Sequence, residues 1–134
     1  MTKECIKQIF LNNLKIKNFR NHKSFEIDLK EQRSIVLGCN GIGKSNLLES
    51  VEFLSQLKSS RSFSDKDLIE NDSDLAVICG QIDFNDDLKV HLLRKGAKKV
   101  FVNDKLLKRN SEIKNYIRSI CFCSNDIDLS LIHI

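Results

Sequence analysis

The chain has 134 residues, 41% of them hydrophobic and 30% charged, which is the balance of one globular domain with little room for a second. No apolar run approaches the roughly 18 residues of a membrane span, and the start Met-Thr-Lys-Glu-Cys has no signal-peptide core, so the expectation is a cytoplasmic protein with no membrane partner. A net charge of +4 permits only weak polyanion contact, and five cysteines at 5, 39, 79, 121 and 123, with no C-x-x-C pair, point to neither a disulfide framework nor a zinc site.

In chain order, residues 9 to 16 are apolar and β-prone, with Leu14 and Ile16 set against Lys15 and Lys17. Phe25, Ile27 and Leu29 then alternate with Ser24, Glu26, Asp28 and Lys30. This is the period of half-buried strands, so the spacing predicts a hairpin joined by the polar segment 18–23. After a turn at 31–33, the run Ile35, Val36, Leu37 reads as a strand leading into Gly38, Cys39, Asn40, Gly41, Ile42, Gly43, Lys44 and Ser45. That G-x-x-x-x-G-K-S pattern is a phosphate-binding P-loop. Its glycines let the backbone curl with N–H groups turned inward, and the helix that follows presents unpaired N–H groups and a positive dipole end. Lys44 adds a charge able to reach the β- and γ-phosphates of ATP, and the Ser45 hydroxyl is the expected Mg²⁺ ligand.

From 46 to 58, Leu47, Leu48, Val51, Leu54 and Leu57 form one helical stripe, with Glu49, Glu52 and Gln56 off it. A Ser/Arg-rich loop over 59–64 follows, and Ser64 with Asp67 reads as the cap of a short helix. Residues 75–84, 88–94 and 99–102 read as three strands of an antiparallel meander, separated by Asn85-Asp86-Asp87 and by Gly96. A short helix over 111–116 and a buried strand over 119–123, carrying Cys121 and Cys123, complete the expectation.

The segments L-K-I-K-N-F-R-N-H-K-S-F-E-I-D-L and I-V-L-G-C-N-G-I-G-K-S-N-L-L-E-S-V-E-F-L, with K-S-S-R-S-F-S-D-K-D-L-I over 58–69, together resemble the SMC-like ABC ATPases and, within them, the RecF family of DNA replication and repair proteins. The resemblance runs from residue 9 to about 129 and implies an α/β fold: lobe I of a P-loop NTPase head of ABC/SMC type, with an attached antiparallel β-sheet. It also implies that residues 1–134 form the N-terminal part of a RecF-type ATP-binding domain, incomplete at its C-terminus. Implied for the whole protein are ATP with Mg²⁺, an ATP-dependent homodimer, binding of single-stranded or gapped DNA, recombinase loading with recombination mediator proteins, and a role in the SOS response.

By the same resemblance Arg20, in N-F-R-N-H, lies beside the nucleotide, with Asn21 and His22 as possible borders of base or sugar. Arg61 belongs to the RecF-like loop, where contact with nucleotide, DNA, a second subunit or only solvent are open readings. Lys98, Lys99, Lys105, Lys108 and Arg109 read as a solvated basic edge that discourages strand pairing. Neither His91 nor His133 has the spacing of a metal ligand. The chain contains no run of four apolar residues followed by Asp-Glu and no Ser-Gly signature; Asp126 and Asp128 are acids without an assigned role. The resemblance implies that the parent protein is a weak ABC-type ATPase, of which this chain lacks the Walker B and signature parts, so its catalytic residues are unassigned. Two other readings are the head of a structural SMC-like chromosome protein and a P-loop phosphotransferase.

Overall fold

Period-two alternation sets the sheet. In the computed structural model, which describes residues 10–31, 33–38 and 43–121, strand β1 (Leu11–Phe19) buries Leu14, Ile16 and Phe19 and turns Lys15 and Lys17 outward. It pairs antiparallel with β2 (His22–Asp28), placing Leu14 opposite Ile27 and Ile16 opposite Phe25. Strands β3 (Leu75–Ile82), β4 (Asp86–Leu93), β5 (Lys99–Val102) and β6 (Lys105–Leu106) form the meander, and the sheet order is β2-β1-β3-β4-β5-β6. The chain thus leaves the sheet after β2 and re-enters on the other side of β1, where Ile16 faces Ile78.

Between those two visits lies helix α1 (Lys44–Gln56). It packs on the face of the sheet that carries Ala76, Ile78, Val90 and Leu92, and its Phe53 and Leu54 are fully buried there. Each such side chain contributes about 1.5–3 kcal/mol. Gly80 allows the close approach, since a Cβ there would stand 2.4 Å from Leu54 Cδ2. The helix ends at Leu57, which turns left-handed at φ 59° while its N–H donates to the Phe53 carbonyl. Short 3₁₀ helices at Asp65–Leu68 and Asn110–Asn115 bury Leu68 and Ile113. Ser64 caps the first, its hydroxyl accepting from the Lys66 N–H at 3.3 Å. The burial of β3 alternates at every residue between partly and fully buried, as in an antiparallel sheet whose two faces are covered unequally.

Four expectations are corrected. The turn between β3 and β4 sits at Asp83–Asn85 rather than 85–87, with Asp83 and Phe84 left-handed and Asp83 Oδ1 accepting from the Phe10 N–H. Residues 33–38 form no strand, and Ile35 and Leu37 are each 84% exposed; no described strand lies beside them to accept their backbone hydrogen bonds, and an extended segment needs that ladder. Residues 119–121 are not in a strand either, and Cys123 lies outside the described residues. Lys98 does not belong to a solvated edge: its ammonium donates to the Leu57 carbonyl at 2.7 Å and to Asp65 Oδ2 at 2.9 Å, 5.4 Å from the centre of the Phe53 ring.

Candidate nucleotide site

Helix α1 opens at Lys44, and the residue before it, Gly43, has φ 95°, a conformation that favours glycine. Among the described residues no side chain caps this end and its first turn holds no acid, so no described anion of the protein answers its N–H groups and positive dipole end. Lys44 Nζ donates to the Gly38 carbonyl at 2.5 Å, tying the two ends of the P-loop together. The Ser45 side chain, on the first turn, belongs to an exposed residue. Cys39, Asn40, Gly41 and Ile42 lie outside the described residues.

The β1–β2 turn packs directly on this end. His22 Nε2 is 3.0 Å from the Gly43 carbonyl oxygen, and Asn46 Nδ2 donates to Asn21 Oδ1 at 2.7 Å. Arg20, left-handed at φ 54°, donates its backbone N–H to the Leu68 carbonyl. Its guanidinium forms a two-pronged ion pair with Glu49, Nε to Oε1 at 2.8 Å and Nη2 to Oε2 at 3.0 Å. Such charge-assisted forks are the strongest of the side-chain hydrogen bonds. Arg20, Asn21 and Asn46 line one wall of a cleft of about 520 Å³ whose other wall carries Asp67, Glu70 and Asp72.

Glu49 is the residue that periodicity misassigns. It lies off the leucine stripe, yet it is 1% exposed, one turn below Ser45. Ser59 Oγ donates to its Oε2 at 2.5 Å, and Arg61 Nη1 lies 3.7 Å from its Oε1. Arg61 Nη1 also donates to Asn46 Oδ1 at 3.0 Å. Burial would push the Glu49 carboxyl up, but the hydrogen bonds from Arg20 and Ser59 and the charges of Arg20 and Arg61 outweigh it and hold the group below the ordinary glutamate value. Glu52 is buried likewise and accepts from the Ser60 N–H and hydroxyl, whereas Leu48, expected on the buried stripe, is exposed. The available signal was an acid four residues after Ser45 with arginines in the segments on either side.

Away from the site, His91 is half-buried against the Phe101 ring and is pushed below its usual value by burial and by Lys89 and Lys99. Among the described residues no group of three or more His, Cys, Asp or Glu side chains is arranged to hold a metal. Among the described residues no helix is long and apolar enough to cross a membrane.

The sequence model of the AAA ATPase domain family matches residues 10–130. The DNA replication and repair protein RecF of Synechococcus sp. (strain CC9605) is 41% identical over 114 residues, 85% of this chain and 31% of the relative. RecF of Oenococcus oeni is 39% identical over 124 residues, 90% of this chain and 33% of the relative. The chain therefore spans about a third of the length of the curated relatives it matches. A solved structure of the recombination mediator protein RecF with ATP superposes with a TM-score of 0.82 at 29% identity, over 90% of this chain and 34% of that one. An SMC ATPase structure superposes at 0.78 with 20% identity, over 91% and 90%, which is a likeness of fold. With the P-loop lysine and serine opening α1 beneath a six-stranded antiparallel sheet, the chain belongs to the AAA ATPase domain family and, within it, to the RecF proteins.

Proposed function

We propose that this chain binds ATP with Mg²⁺ through Gly38, Cys39, Asn40, Gly41, Ile42, Gly43, Lys44 and Ser45, with Arg20 at the margin of the site. The observation that carries the reading is the start of α1: uncapped, free of acid, preceded by a left-handed Gly43 and followed at once by Lys44. These features fit a polyphosphate, because N–H donors, a helix dipole and an ammonium meet at a first turn that holds no acid. Lys44, now on the Gly38 carbonyl, would exchange that acceptor for phosphate oxygens. Ser45 would offer its hydroxyl to Mg²⁺, which neutralises phosphate charge when bound. The β1–β2 turn fixes Gly43 from one side and presents Arg20 to the cleft.

At the level of the whole protein, we infer a RecF-type function in DNA replication and repair. It comprises an ATP-dependent homodimer that binds single-stranded or gapped DNA, loads recombinase with mediator proteins and acts in the SOS response, in the cytoplasm. The RecF relatives support this reading. Its test at the site is titration of the chain with a fluorescent ATP analogue in Mg²⁺ buffer. Lys44→Ala should weaken binding by about 2 kcal/mol or more through loss of a charge-assisted contact. Equal affinity in the two proteins would overturn the reading.

A further inference from the structure

Two arginines arrive at the first turns of α1 from different directions: Arg20, from the β1–β2 turn, lines the cleft, and Arg61, from the loop after α1, reaches its lining residue Asn46. Both reach Glu49, at 2.8 Å and 3.7 Å. A carboxylate at 1% exposure is rare unless it is paired, because its desolvation must be offset by hydrogen bonds and opposite charge. Here Arg20 fills both oxygens and Ser59 adds a third bond. Arg20 spends Nε and Nη2 on this grip, and the guanidinium retains Nη1 for another acceptor. Its side chain is 24% exposed and lines the cleft. Asn46, one position beyond Ser45, joins Arg61 to Asn21 across the same opening. Turn, helix start and loop are therefore linked through one buried acid.

We propose that Glu49 is the positioning residue of this site, gathering Arg20 and Arg61 onto one buried carboxylate so that the two guanidiniums stand as a pair beside the first turn of α1, next to Lys44 and Ser45. The inference rests on the nucleotide-binding reading above and goes beyond it in assigning roles to Glu49 and Arg61. Glu49 touches no ligand; it acts through the arginines. An arginine held by two prongs has surrendered most of its side-chain entropy before an anion arrives, so its remaining donors bind more tightly than those of a free side chain.

The test is a double-variant cycle read by fluorescent ATP titration. Glu49→Gln and Arg20→Ala should each raise Kd by roughly tenfold, the scale of one charge-assisted contact, and the double variant should be no worse than either single one. Arg20→Lys keeps the charge and loses the fork, so it should bind as poorly as Arg20→Ala. Arg61→Ala should show a smaller loss that disappears in the Glu49→Gln background. Additive losses in the cycle, or wild-type affinity in Arg20→Lys, would overturn the inference. Where Glu49→Gln does not fold, the Arg20→Lys arm still decides. Failure of the nucleotide reading itself would appear separately, as equal binding by wild type and Lys44→Ala. In that event the pair is read without nucleotide: the Arg20 Nε–H resonance should be protected from exchange in the wild type and lose that protection in Glu49→Gln. An unprotected Arg20 Nε–H in the wild type would overturn the inference.

Discussion

His22 and Gly43 meet so closely that the glycine position has no room for a side chain: the imidazole Nε2 is 3.0 Å from the Gly43 carbonyl oxygen and would be 2.5 Å from a Cβ on that residue. Asn21 Oδ1 would be 2.7 Å from the same Cβ. The β1–β2 turn and the start of α1 thus fit as two surfaces, one of them glycine by necessity.

Gly43→Ala should therefore destabilise the chain by about 2 kcal/mol, since it combines a left-handed φ with displacement of two ordered side chains. Urea denaturation measures this. Adding His22→Ala to Gly43→Ala should recover only part of the loss, because the backbone strain at φ 95° persists. An alanine variant as stable as wild type would refute the packing of the turn on the P-loop.

Glu49 gives a pH dependence with a definite sign. Its folded carboxyl is held below the ordinary value of 4.5, so the folded state takes up a proton less readily than the unfolded one. The stability it contributes is then complete above 4.5 and is lost as pH falls through the lower, folded value. Glu49→Gln should be less stable than wild type by about 3 kcal/mol at neutral pH, the scale of breaking a buried ion pair. That gap should close in the acid range below 4.5. Parallel urea curves across this range measure it, and a gap unchanged by acid would show that the carboxylate charge is not what holds Arg20.

The parts legible in the sequence were those set by local period. Leu14, Ile16, Phe25 and Ile27 announce a hairpin, and β3 to β5 announce a meander, because one face of each is buried and alternation follows. The P-loop was legible because glycine, lysine and serine at that spacing answer a chemical need. The return of the chain beside β1 was not, since Ile16 and Ile78 are partners in a strand pairing between segments far apart in the sequence. The burial of Glu49 and Glu52, which lie off the leucine stripe, was not legible for a related reason: the partners that make it tolerable lie in other segments, Arg20 before the helix and Ser59 and Ser60 after it. The run 35–37 has strand composition, but composition cannot supply neighbouring strands.

Gly80 offers a direct test of how α1 sits on the sheet. Its own backbone is not left-handed, so only space is at issue, and a Cβ there would lie 2.4 Å from Leu54 Cδ2 and 2.9 Å from Leu11 Cδ1. Leu54 is fully buried and has little room to yield. Gly80→Ala should cost about 1–3 kcal/mol by overpacking, and Gly80→Val more. Leu54→Ala in the Gly80→Val background should restore part of the stability. Additive destabilisation in that pair would mean that the two residues are not in contact.

The last prediction concerns turnover. Lowering the barrier for phosphoryl transfer requires charges placed where the transition state develops, beyond those that hold the ground-state phosphates. Gly43, Lys44 and Ser45 are of the second kind, and Arg20 and Arg61, held by Glu49, are read as contacts of that same kind, made already to the ground-state phosphates. Glu49 itself is a poor candidate to orient water: it is 1% exposed, and both of its oxygens are occupied by Arg20 and Ser59. The full sequence offers no apolar run ending in Asp-Glu. The chain should therefore retain ATP while releasing phosphate at the background rate, with or without added DNA. Phosphate release by the purified chain, with Lys44→Ala as control, measures this. A Lys44-dependent rate well above background would mean that the chain supplies a water-orienting carboxylate, and Asp126 and Asp128 would be the first positions to substitute.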